Sequence, residues 1–301
     1  TSESRLEANI SSMSIAAGMF AVAAAGATAW VNAAGQFYAR AEGVDVTAAS
    51  LTVNATRLMS SQAIVTGMSI ATTMGVGASV ATINISSDVR AYAGGAGSTF
   101  SLGALNVSAR LAAQSGRELS DVRAYASGGG LLMGVQSTNA TSTNRSVVAA
   151  GLTGGSFSVS GALVVTADGS GRQIAKSRGI AAGLIGVGST DATLNSFPTV
   201  KSTVSSNTTV LYAGSMKLAA AAVDENYFDI EAGAFGLASG AAAKGTTNSN
   251  SSVSTGFLDG SSLSDRALVT VAPEKGRHVH YMEPSERSPK TVVAEARENW
   301  Q

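Results

Sequence analysis

The chain repeats itself about every 54 residues, and this period constrains its fold more than any other feature. One phrase recurs five times: Leu51-Thr-Val53-Asn-Ala55, Leu105-Asn-Val107-Ser-Ala109, Leu163-Val-Val165-Thr-Ala167, Met216-Lys-Leu218-Ala-Ala220 and a looser Leu268-Val-Thr-Val271-Ala272. A second phrase, a small residue followed by an aliphatic one, leads each copy by about 31 positions: Ala21-Val22, Gly75-Val76, Gly134-Val135, Gly186-Val187 and Gly236-Leu237. Two columns that keep step through five copies predict stacked units sharing one core.

The alternation within Leu-x-Val-x-Ala places one face inside and one in water, the period-two pattern of a strand. Val, Ile and Thr recur in runs separated by Gly, Ser and Asn, which suit strands and turns respectively. Helix signals are weak, because glycines dot the apolar runs and capping boxes are few. Ala181-Ala-Gly-Leu-Ile-Gly186 and Leu218-Ala-Ala-Ala-Ala-Val223 are the local helical candidates.

The expected fold is all-β, a β-solenoid of five repeats at about 1–56, 57–110, 111–168, 169–221 and 222–272. Spacing within a repeat alternates between about 31 and 23 residues, which suggests two coils per period, about ten rungs and a rod ~50 Å long. Both columns are expected to be buried, Val22, Val76, Val135, Val187 and Leu237 in one and Val53, Val107, Val165 and Leu218 in the other. After Pro273 the columns stop. Residues 273–301 read as a charged, proline-containing tail that caps the stack, links it onward or docks on a neighbour. The chain opens partway through a repeat, so it is expected to be a mature product or an excised segment.

Composition narrows the function. Charged residues are 13% of the chain and the net charge is zero, so no basic stripe exists to follow a phosphate backbone, and no nucleic-acid partner is expected. With no cysteine there are no disulfides or thiolate metal sites. Ala8 to Ala39 carries no charge and has the length of a membrane helix, but Ala21-Val22 falls on the repeat column, so no membrane span is expected.

In phrase order the copies resemble the repeats of large secreted bacterial exoproteins, the leukotoxin-type filamentous adhesins related to filamentous haemagglutinin. A Gly/Ala/Val run (Met74 to Asn84) leads to an aromatic-containing turn (Arg90-Ala-Tyr-Ala-Gly94) and then to the strand Leu105 to Ala109. Thr255-Gly-Phe-Leu-Asp-Gly260 is a second instance of the turn. Val148-Ala-Ala-Gly151 lacks the aromatic, and Ser196-Phe-Pro198 interrupts the run after Asn195. The resemblance covers roughly residues 1–272 and implies secretion to the bacterial cell surface or beyond, a β-rich stack, and adhesive or filament-forming roles. It implies no catalytic residues.

Other constellations have simpler readings. His278-Val-His280 offers two imidazoles with Glu283 nearby, too few ligands for a metal site. Gly183-x-x-Gly186-x-Gly188 has no following Lys-Ser/Thr, and its glycines coincide with the repeat column, so packing explains it. Asp121, Asp168, Asp191, Asp224 and Asp229 occupy different columns and form no acid pair. Of eight N-x-S/T sequons, Asn54 and Asn106 are read as holding the same outward place in the strand, where they are open to glycans. The outward Thr, Asn and Ser do not read as the regular rank an ice-binding face needs. No catalytic, cofactor-binding or metal residue is assigned. The expected function is structural and adhesive, with the chain its own head-to-tail partner. The alternatives are a glycan-binding passenger segment or a carbohydrate-active β-helix enzyme.

Overall fold

The computed structural model describes residues 1–259, 261–263, 268–274, 278–282 and 292–297, with backbone alone for the strands beyond 261. Among the described residues there is no helix, and both local helical candidates lie in strands and the turns between them. The protein is all-β, and among the described residues it forms two nine-stranded sheets in which every pairing is parallel.

Sheet A holds β1 (Ser2–Ala16), β3 (Val46–Ala71), β5 (Thr99–Ala113), β6 (Ser120–Gly130), β9 (Gly155–Ala182) and β12 (Thr208–Phe235). It ends with β15 (Ser262–Leu263), β16 (Leu268–Glu274) and β17 (His278–Met282), all paired to β12. Sheet B holds β2 (Val22–Glu42), β4 (Met74–Gly94), β7 (Met133–Asn144), β8 (Val147–Thr153), β10 (Ile185–Ser196) and β11 (Thr199–Val204). It ends with β13 (Ala238–Ser249), β14 (Ser252–Phe257) and β18 (Val292–Arg297). Strand pairing therefore continues past Pro273.

Each period passes once through each sheet. β3 runs along sheet A, Thr72-Thr73 reverses the chain, and β4 returns in sheet B. The next crossing, before β5, uses Gly94 and Gly95 at φ +136° and +105°, where a side chain is strained. Partners lie 49 to 59 residues apart, as in Ala243 opposite Val292 and Met74 opposite Met133. No pairing among the described residues falls at half the period, so the two-coil reading fails. Among the described residues six rungs at ~4.8 Å replace the expected ten.

The Leu-x-Val-x-Ala column is where the sequence placed it. Val53, Val107, Val165 and Leu218 are in register and buried. Phe100 and Phe157 stack beside them with ring centroids 4.7 Å apart. Each large aliphatic side chain buried here contributes roughly 1.5–3 kcal/mol.

The second column corrects the expectation. Val76, Val135 and Val187 are in register, but Val22 opposes Met74 and Val187 opposes Gly240, so Val22 and Leu237 fall outside it. Its side chains point outward, and Val187 is 50% exposed. The glycines take the interior instead. Near the Thr72-Thr73 reversal the two backbones touch, and a Cβ on Gly75, Gly77 or Gly134 would lie 2.2 Å from a carbonyl oxygen of the opposite sheet.

The third period is longer because of one loop. Across Gln114–Leu119 the offset to β3 rises from 54 residues (Val53 opposite Val107) to 59 (Gln62 opposite Asp121). β5 and β6 lie end to end between the continuous β3 and β9, and this closes a four-strand ring of pairings.

Candidate functional surfaces

The outer face of sheet B carries two polar columns. Trp30, Thr82, Thr141, Thr193 and Thr246 are in register, and beside them run Asn32, Asn84, Thr143, Asn195 and Asn248. Outward Thr and Asn thus do form a rank, but of Thr-x-Asn and not of the repeated Thr-x-Thr that an ice-binding face needs. The signal was present as Thr82-Ile-Asn84, Thr141-Ser-Thr143, Thr193-Leu-Asn195 and Thr246-Thr-Asn248, hidden because the third period is longer. Side chains bond along the rank: Asn195 Nδ2 donates to Thr143 Oγ1 (3.3 Å), and Asn248 Nδ2 donates to Asn195 Oδ1 (2.8 Å). Trp30 stands at its head, 66% exposed.

The outer face of sheet A carries charge in alternating signs. Arg123 donates to both oxygens of Asp121 (2.9 and 2.7 Å), which also accepts from Gln62 Nε2 (2.9 Å). Arg178 donates to Asp229 at 2.6 Å and lies 3.6 Å from Glu231. These carboxylates hold the guanidinium pKa values of Arg123 and Arg178 above their usual range, against the opposing effect of burial. Asp121, Asp168 and Asp229 each pair with an arginine, and the register keeps Asp121, Asp168, Asp191, Asp224 and Asp229 in separate columns, as expected.

The interior holds polar groups that sequence reading missed. Ser120 and Ser142 meet at 2.6 Å across the sheets, Ser142 donates to Gln173 (2.7 Å), and Gln173 donates to Asn226 (3.3 Å). Arg57 is buried, donating to the Gly35 carbonyl (3.1 Å) and to Ser87 Oγ (2.8 Å). Burial lowers its pKa, and among the described residues it has no ion-pair partner. A Cβ at Gly35 would sit 2.7 Å from Arg57 Nη1, so the glycine makes room for the guanidinium.

The remaining motifs fall into place individually. A Cβ on Gly186 would lie 2.8 Å from the Phe235 carbonyl oxygen, and one on Gly188 2.5 Å from Gln136 Nε2, so both sit against packed neighbours. Asn54 and Asn106 are both outward but not at the same place, since Asn54 opposes Ser108 and Asn106 opposes Thr52. The side chains of His278 and His280, and all of Glu283, lie outside the described residues. The uncharged N-terminal stretch forms β1 and β2, and among the described residues no helix is long and apolar enough to cross a membrane. Compared with protein families, curated proteins and solved structures, the chain matches none.

Proposed function

We propose that the chain is a parallel β-solenoid that serves as a secreted structural and adhesive element at the bacterial cell surface, adding copies end to end into a filament, matrix or stalk. The observation that carries this reading is the in-register stack itself. Partners recur once per period from β1 to β16, so every rung offers the next the same hydrogen-bond ladder and apolar column. An end rung that carries the same ladder and apolar column as an internal one lets a second copy continue both sheets. A head-to-tail contact of that kind does not close on itself. Electron microscopy of the purified protein is the test. Unbranched fibres that lengthen with concentration, with a ~4.8 Å axial repeat, support the reading. Particles that stay single at every concentration contradict it.

A second reading, a glycan-binding segment, has one observation in its favour: exposed Trp30 beside the Thr/Asn rank. A flat aromatic face next to hydroxyl and amide groups suits a sugar ring, which presents C–H bonds on one face and hydroxyls at its rim. Retention on a glycan array that is lost in Trp30→Ala supports it, and no retention by the native protein dismisses it.

A further inference from the structure

The valines displaced from the interior belong to a larger apolar edge. Where the chain reverses between the sheets, the rungs carry Met19 and Phe20, Thr72 and Thr73, Leu131 and Leu132, Leu184 and Ile185, then Leu237. Backbone bonds hold these reversals in line: Leu131 N–H donates to the Thr72 carbonyl, Leu184 N–H to Leu131, and Ala238 N–H to Leu184. Leu237 is 90% exposed, Met19 88%, Phe20 85% and Leu131 73%. No charged residue lies on any of these reversals.

We infer that this edge is a lateral docking surface for a second copy of the chain. Its apolar side chains leave on the order of 1,000 Å² outside, taking ~150–250 Å² for each large ring and somewhat less for each aliphatic. The largest apolar patch of a typical monomer is about 300–600 Å². A stable interface takes about 800 Å² from each partner, so the edge is large enough for one. Its form selects the partner. Apart from the rung of Thr72 and Thr73, the apolar side chains recur along the edge at the rung spacing, ~4.8 Å. The surface that matches such a row is another like it, whose side chains enter the gaps as facing sheets do in a dry zipper. The absence of charge removes any basis for selecting an ionic ligand. Two copies related by a two-fold axis at the third rung bring Leu131 and Leu132 of one against the same residues of the other. This contact runs along the stack and is independent of end-to-end growth.

The chain has no cysteine, so single cysteines report the contact cleanly. Under mild oxidation, Leu131→Cys is expected to form a covalent dimer, whereas Val44→Cys, on the opposite edge, is expected to remain monomeric. Sedimentation of the native protein should show a reversible dimer. The double variant Leu131→Glu/Leu237→Glu should weaken it roughly a hundredfold or more without changing the melting temperature, since both side chains are already largely in water. End-to-end fibres, where present, survive that variant. Three outcomes overturn the inference: a native protein with no lateral dimer at its highest soluble concentration, a dimer that ignores the glutamates, or a monomer that instead binds phosphatidylcholine vesicles through this edge.

Discussion

A Cβ added at Gly128 would sit 1.8 Å from the Val135 carbonyl oxygen, which no small adjustment relieves. Contacts of this kind decide which residues are inside near the Thr72-Thr73 reversal, and they send Val135 and Val187 outward. The consequence is measurable. Val107, fully buried between Val53 and Val165, should not tolerate charge, and Val107→Asp is expected to cost several kcal/mol and unfold several rungs together. Val187→Asp, on a side chain 50% exposed, should change stability by less than about 1 kcal/mol. Thermal melts of the two variants check the assignment, and equal losses would refute it. Asp168 adds a pH signature. Burial raises its carboxyl pKa above the usual 3.8, although Arg110 at 3.3 Å pulls the other way. A raised folded-state value means that the favourable contribution is full below 3.8 and is lost as pH rises through the folded value. Asp168→Asn should therefore melt progressively higher than the native protein as pH rises through that window, then keep a constant lead. A lead that shrinks with rising pH would reverse the sign.

At the scale of elements, the loop between β5 and β6 is a large departure from an even period. Ala113 opposes Met59 and Ser120 opposes Ser61, so one residue alone is needed to face Ser60. Leu119 already fills that role, because the Ser61 N–H donates to its carbonyl while its own N–H donates to Arg172. Removing Gln114–Glu118 should leave an unbroken rung and a melting temperature within a few degrees of the native value. A large loss would mean that the loop holds the register. The Leu-x-Val-x-Ala strands were legible in the sequence because alternation and period agree there. The Gly-Val phrase was misread because its period is equally clear, while the separation of the sheets, which decides whether glycine or valine faces inward, is a tertiary property. The Thr-x-Asn rank was legible in principle, and the five-residue excess concealed it. Buried Gln173 and Asn226 left no signal, because the groups they bond to come from another rung or the opposite sheet.

For the whole molecule, one period makes one pass through each sheet. Asn54, Ser108, Thr166 and Ala219 form a single outward column, three steps from end to end. Spin labels on Asn54→Cys and Ala219→Cys in this cysteine-free chain measure that span directly. One rung per period places the labelled backbones about 15 Å apart, with a narrow distribution, from three steps of ~4.8 Å. A separation near ~29 Å, the value for two rungs per period, or a broad distribution would contradict the account.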